Sequence, residues 1–510
     1  MNKIKADQSF AWRITLGAFL CLALWPLWSA RFPPMQDYPQ HLAQAHMLAE
    51  RNNPAFDYQR YFEFHLRPVY ATFYLTTLLF SRFVPAEAAG KLALSLYPAL
   101  VAVVIARLGR RGAKGVAPWG ALLFFPVAFN QQYFMGNVNY ILSLPLLVLA
   151  LLDYEDLLGS PRGAWPITRQ CLWQVALAVT HPFSFLAYVS LAVVTTIVAR
   201  RHTGEFWRKA LAPMCMALIL LLGCCLESMV KSSPEAAVPG GMDWISPKAA
   251  LQFAALMFTG MQWSGGIKAI PLILWGLMAA VVLGAMAAQW RERGPFSLLH
   301  GLWVAAAGLG FLVLPCRIGA YTGINLRLAP LLYFLIVLLV AQVRFRSWWL
   351  YSFVALAGLC LVASVARQAR LSAETEEIVP ILQKIPANSR ILPLVFDRAS
   401  PELDSYWFDP HLHDHNYYHV LRGGGFSPYL PAAQLNPVRY RPEQRRPAPG
   451  EYTPQEFVWE AHSADYQYFL VRGAPAGFAQ YMAPTCNLVL VSGQWTLFER
   501  RAQPEIRRAK

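Results

Sequence analysis

Between residues 14 and 366 the chain alternates long apolar runs with short polar turns. The first run, Ile14 to Ala30, follows Lys3, Lys5 and Arg13. It is long, and no small-x-small cleavage pattern precedes Arg31, so it predicts an uncleaved first transmembrane helix. Pro33 and Pro34 end it. The polar stretch 31–67 then carries Asp37, Glu50, Asp57 and Glu63, and His41 to Glu50 has a helical pattern too amphipathic to span. That helix is expected on the membrane surface. Pro68 to Val84 is apolar but short. Ala86 to Ala106 is a full span, closed by Arg107, Arg110, Arg111 and Lys114.

That basic cluster decides the topology, because Lys and Arg favour cytoplasmic turns. If Pro68–Val84 and Ala86–Ala106 both cross, the cluster lies outside. If Pro68–Val84 is re-entrant or interfacial, the cluster lies inside. The second arrangement is preferred and predicts crossings near 116–130 and 134–152. Two short helices follow, 168–180 and 182–199, with Thr180-His181-Pro182 at the outer tip. Later crossings fall near 210–228, 267–289, 296–315, 327–343 and 348–366. The rival arrangement makes 168–199 one long helix with His181 in mid-membrane. Either way the expectation is a polytopic α-helical membrane protein with about 11 transmembrane helices. Its N-terminus would be cytoplasmic. Residues 229–262 are rich in Pro, Gly and Ser and predict an outer loop, a candidate lid.

From Arg367 the long apolar runs stop. Arg390–Phe396, Tyr466–Arg472, Asn487–Val491 and Thr496–Arg500 read as strands, and Glu374–Lys384 as helix. The predicted organisation is a transmembrane domain, 1–366, with 31–67 as its first outer loop, and a soluble outer α/β domain, 367–510.

Composition narrows the class. The 510 residues are 56% hydrophobic and 14% charged, against roughly 25% charge in soluble domains. The net charge of +15 sits at the ends of apolar runs, so it points to membrane topology and not to nucleic acid. A secondary reading is attraction to anionic lipid headgroups. The eight cysteines are scattered, mostly within apolar runs, and no CxxC occurs. This argues against a zinc site or a disulfide framework.

In the preferred topology, polar groups from distant segments gather at outer helix ends. They are Asp37 and His41; Asn130 to Tyr133, Asn137, Asn139 and Tyr140; His181; Asp243; and Arg317, Tyr321, Asn325 and Arg327. Such a gathering predicts a site that meets a water-soluble or headgroup substrate. Each residue also has a plainer role open to it. Asp37 can cap the helix that starts near Pro39, and Asp37–His41 can be a structural pair. His181 can cap a helix before Pro182. Asn137 and Asn139 can pack helices, and Arg317 and Arg327 can snorkel.

The stretch Pro34-Met-Gln-Asp37-Tyr-Pro-Gln-His41 lies just past the first helix, with Thr180-His181-Pro182 and Arg317…Arg327 further on. With the many spans and the outer domain, it resembles the GT-C superfamily of lipid-carrier-dependent glycosyltransferases. That group includes protein O-mannosyltransferases, oligosaccharyltransferases and bacterial aminoarabinose lipid A transferases. The resemblance implies a bacterial inner-membrane enzyme with its outer domain in the periplasm. It would move a sugar from a polyprenyl-phosphate donor to an envelope glycan, lipid or protein acceptor. It assigns Asp37 as general base or metal ligand, and Arg317 and Arg327 as donor-phosphate ligands. His41 and His181 orient groups or assist proton transfer, and Tyr321, Asn137, Asn139 and Asp243 line the substrate site. A divalent cation, Mg or Mn, is the implied cofactor. The family usually carries an acidic pair in the first outer loop. Here Asp37 stands alone, and the second acid is expected to be Asp57, Glu63 or Asp243.

A second polar cluster lies in the outer domain, at Asp409, His411, His413, Asp414, His415 and His419. Alternating histidines on a strand would form a metal patch, whereas His415 and His419 would share a helical face. Contact with an acceptor, or plain loop structure, are the other roles open. A transporter, an assembly partner or a glycan polymerase are the functional alternatives to the transferase.

Overall fold

The structure, a computed structural model, describes residues 2–111, 119–159, 164–199, 205–230, 241–250, 298–319, 321–341, 347–401, 409–430 and 436–501. It also describes a few positions between 252 and 287. The expected crossing 267–289 and much of the loop 229–262 fall outside these residues. Among the described residues, four helices are long and apolar enough to cross a membrane: Phe10–Ser29, Ala86–Arg111, Pro182–Ala199 and Tyr351–Lys384. The chain divides into two compact units. One comprises Met1–Pro26, Pro68–Phe73 and Leu94–Arg367, the other Leu27–Arg67, Tyr74–Ala93 and Gln368–Lys510.

The helices are α1 (Asn2–Ser29), α2 (Tyr38–Ala49), α3 (Thr72–Phe80), α4 (Ala86–Arg111) and α5 (Val138–Gly159). Then come α6 (Ala164–Thr180), α7 (Pro182–Ala199), α8 (Glu205–Val230), α9 (Leu298–Val313), α10 (Leu328–Val340) and α11 (Ser347–Glu376). Helix α3 has nine residues, about 14 Å at 1.5 Å per residue. That is about half a bilayer core. The described part of the expected crossing 116–130, from Trp119 on, is not one helix. Trp119–Leu123 forms a 3-10 turn and Phe124–Ala128 a short helix. Phe129 and Asn130 then leave helical geometry before Gln131–Phe134 turns again.

In the first unit, α5 packs against both α6 and α7. Gln170 on α6 donates to the Tyr188 hydroxyl on α7, which a continuous helix would hold far apart. The two are therefore a hairpin with His181 at its tip, and the single-long-helix arrangement is excluded. At the opposite end of this bundle, Arg107 and Arg111 of α4 meet Asp153, Glu155 and Asp156 of α5. Arg169 of α6 joins them through Asp153 at 2.7 Å, and His300 of α9 through Glu155 at 3.6 Å. The basic cluster of α4 thus shares a side with Arg169 and lies away from His181.

The strands are β1 (Phe62–Phe64), β2 (Met242–Asp243), β3 (Arg317–Ile318), β4 (Tyr321–Thr322), β5 (Ile391–Val395), β6 (Val438–Tyr440), β7 (Tyr468–Arg472), β8 (Cys486–Ser492) and β9 (Trp495–Arg500). In the second unit, β5, β7, β9 and β8 form a mixed sheet in that order, with β5 and β7 parallel. Its core is Leu392, Leu394, Phe469, Leu470, Trp495 and Leu497, all buried. The first outer loop belongs to this unit. β1 pairs antiparallel with β6, and α2 packs on the short helix Tyr417–Leu421. Helix α2 is buried on nearly every face, which differs from the surface helix its amphipathic pattern predicts. Gln40 and Gln44 pack against protein instead of facing water. Gly90 on α4 makes this possible, since a Cβ there would run into the Tyr38 hydroxyl and lie 2.6 Å from Leu42.

Candidate functional site

Asp37 occupies the N-cap position of α2 but makes no side-chain hydrogen bond to that helix end. The capping role is not used. Its Oδ1 lies 2.9 Å from His413 Nδ1. The same ring nitrogen donates to the Gln36 carbonyl at 3.2 Å. The other ring nitrogen, Nε2, is 3.3 Å from Glu451 Oε1. Both ring nitrogens therefore face carboxylates, as an imidazolium requires. Burial opposes charge on this ring, but Asp37 and Glu451 outweigh it and raise His413 to about 10. The His413 side chain is 7% exposed, while Asp37 keeps 25% and Glu451 23%.

Neighbouring groups complete the cluster. Gln36 Oε1 accepts from the Asp409 backbone at 2.7 Å, and Arg398 pairs with Asp409 at 3.4 Å. The Arg398 guanidinium lies over the Tyr452 ring at 5.3 Å. His41, one turn along α2, has its Nδ1 2.7 Å from the Tyr74 hydroxyl. Burial lowers His41 to about 4; Asp37 partly offsets this and His413 adds to it. One histidine of the cluster is thus neutral at pH 7 and the other charged.

Of the residues proposed as a second acid, Asp57 and Glu63 have other partners within the second unit. Asp57 Oδ1 accepts from the Gly425 backbone at 2.7 Å, at one of three successive glycines with positive φ. Glu63 faces His65 at 3.4 Å and Arg441 at 4.0 Å. Asp243 belongs to the first unit. The acid that shares a partner with Asp37 is Glu451, which sequence reasoning did not single out. Lying in the loop before Tyr452, it has no motif to mark it.

The histidine cluster is not a strand. Asp414–Asn416 is a 3-10 turn that leads into the helix Tyr417–Leu421. His411 lies between Asp414 at 2.8 Å and Glu374 at 3.0 Å. His415 and His419 accompany backbone carbonyls of Leu412 and Gly424. Among the described residues, no three His, Cys, Asp or Glu side chains group as metal ligands.

In the first unit, His181 is buried at the α6–α7 tip. Its ring stands edge-on to Tyr70 at 4.9 Å and Tyr140 at 5.0 Å, and its Nδ1 has no hydrogen-bond partner among the described residues. Tyr70 has φ +56°, an unusual conformation for a bulky residue. It is held there by Asn139, whose Nδ2 donates to the Tyr70 carbonyl and whose Oδ1 accepts from Phe73 N, both at 2.8 Å. Asn139 thus shapes the loop against His181. Asn137 donates to Gln132 at 2.6 Å. Tyr140 donates to the Arg327 carbonyl, which brings Arg327 beside His181. Arg317 and Asp243 pair at 2.5 Å, both about half exposed, on the small sheet β2-β3-β4. Tyr321 lies on that sheet opposite Ile318. The two arginines therefore differ. Arg317 is matched by an acid, whereas no acid lies within ion-pair distance of Arg327 among the described residues.

Neither a protein-family description nor a curated protein sequence matches the chain. Solved structures do. One is ArnT from Cupriavidus metallidurans bound to undecaprenyl phosphate, at TM-score 0.54 and 11% identity, covering 95% of this chain and 97% of that one. The apo state of the same protein aligns at TM-score 0.54 and 14% identity, over 96% and 98%. ArnT is an aminoarabinose lipid A transferase of the GT-C class, and this chain shares its fold over nearly the whole length of both.

Proposed function

We propose that this protein is a bacterial inner-membrane glycosyltransferase. It moves a sugar from a polyprenyl-phosphate-linked donor to an envelope glycan, lipid or protein acceptor on the periplasmic face. About 11 crossings, a cytoplasmic N-terminus and a periplasmic C-terminal α/β domain belong to this reading. The observation that carries it is Asp37. Its carboxylate leaves its own helix end uncapped, is held by His413 and remains partly exposed. The ArnT-like fold, seen with undecaprenyl phosphate in the relative, supports the choice of donor.

The acceptor hydroxyl or amine attacks the anomeric carbon, and Asp37 takes its proton as general base. The sugar–phosphate bond breaks, and the lipid phosphate leaves as an anion. Within the first unit, Arg327 presents a planar fork of donors suited to a phosphate group. His181, with its open Nδ1, and Tyr140 line the same region of the first unit. Arg317, matched by Asp243, fastens the outer turn. The residues around Asp37 do not fit a divalent cation: Oδ1 faces a ring that itself sits between two carboxylates. The positive charge opposite Asp37 is His413, and no step is assigned to Mg or Mn.

The test is deletion of the gene in its host, with envelope glycans and lipids profiled by mass spectrometry, then rescue with wild type or Asp37→Asn. A modification that disappears on deletion should return with wild type only. Full rescue by Asp37→Asn removes Asp37 from the chemistry. An unchanged profile on deletion leaves a transporter or assembly role as the better reading.

A further inference from the structure

A buried imidazole between two carboxylates is costly unless both partners stay in place, because each charge has left water. Here the two carboxylates come from different ends of the chain. Asp37 follows the first helix, and Glu451 lies near the C-terminal sheet. Nothing local requires the arrangement: α2 starts without Asp37 as a hydrogen-bonded cap, and Pro39 already suits its first turn. Asp37 Oδ1 is buried against the ring, so the exposed part of the side chain lies beyond that atom. The Gln36 carbonyl shares Nδ1 with Asp37, which fixes the ring plane relative to the backbone that carries Asp37. Glu451 fixes the far side of the ring.

We infer that His413 and Glu451 are the positioning pair for Asp37, with the ring holding Oδ1 and Glu451 holding the ring. This rests on Asp37 being the base of the transfer. The C-terminal part of the chain then has a defined role in the reaction: it sets the orientation of the reactive carboxylate, and Glu451 fills the place of the missing second acid indirectly. Placement of this kind governs rate steeply, since a shift of about 1 Å costs on the order of 10²-fold.

The experiment compares Asp37→Asn, His413→Gln, His413→Lys and Glu451→Gln in the full chain. Transfer is read as the glycan modification in a deletion host. Undecaprenyl phosphate binding and thermal unfolding are read on detergent-purified protein. His413→Gln should lower transfer by about 10²-fold with carrier affinity unchanged. His413→Lys should recover part of it by returning a cation, although Gln is closer in shape to a neutral ring. A purely structural ring would show the opposite order. Glu451→Gln, at the partly exposed end of the clamp, should keep the folded amount and lower transfer by about 10-fold. Normal transfer with Glu451→Gln or His413→Gln overturns the proposal. If Asp37→Asn is inert while those two are normal, only the positioning pair falls. If Asp37→Asn itself transfers normally, the reading of the base falls with it.

Discussion

Asp37 and Asp153 are both carboxylates facing cations, and they differ in how completely they are matched. Asp153 is 3% exposed and meets Arg107, Arg169 and the Trp173 indole, which donates at 2.6 Å. Those donors belong to α4 and α6, so the carboxylate on α5 ties the three helices together. Asp37 meets one ring nitrogen and keeps a quarter of its side chain exposed. A saturated carboxylate has little capacity left for a substrate proton. An under-matched one has both the charge and the access. Burial and charge alone would rank Asp153 first; the number of satisfied contacts reverses the order.

Substitutions should separate the two. Asp37→Asn should lower transfer by about 10²–10⁴-fold while the purified protein melts as wild type does. Asp153→Ala should act on the fold, because it leaves Arg107 and Arg169 facing each other without their shared acid. The loss should be about 3–5 kcal/mol, read as reduced folded yield and an earlier melt in detergent. A normal melt for Asp153→Ala would end the contrast.

The arginines provide a second, smaller contrast. Arg327→Ala should weaken undecaprenyl phosphate binding by about 10–100-fold, as loss of a charged hydrogen bond does. Arg317→Ala removes a half-exposed ion pair and should change binding little. Equal effects of the two would mean that the Asp243 pairing does not set their roles.

The smallest effect concerns His411, clamped much as His413 is. Burial opposes its charge, but Asp414 and Glu374 outweigh that and raise its pKa. Folded protein then binds this proton more tightly than unfolded chain does. The contribution to stability is full below the unfolded value of about 6.5 and is lost as pH rises through the folded one. Thermal stability should therefore fall as pH rises above the unfolded value, and His411→Gln should flatten part of that slope. A slope unchanged in His411→Gln would show that the clamp adds nothing measurable.

Much of this was legible along the chain. The break at Thr180-His181-Pro182 follows from a proline at a helix start, and the C-terminal strands follow from β-branched runs closed by Ser492-Gly-Gln-Trp495. Local pattern misjudged α2, because amphipathic spacing shows which faces are polar but not whether protein or headgroups cover them. It also read His411, His413 and His415 as a possible strand face, where the chain in fact turns.

The sequence by itself determined the membrane class and the position of Asp37 just past the first helix. Hydrophobic runs and turn residues act over a few neighbours, so one dimension carries them. Only the tertiary structure decided that His413 faces Asp37, that Glu451 shares that ring, that Asp243 matches Arg317, and that Asn139 holds Tyr70. These are contacts of a few ångströms between segments far apart in the chain. No periodicity records which remote side chain ends beside which, because packing sets that only once the helices and the sheet have come together.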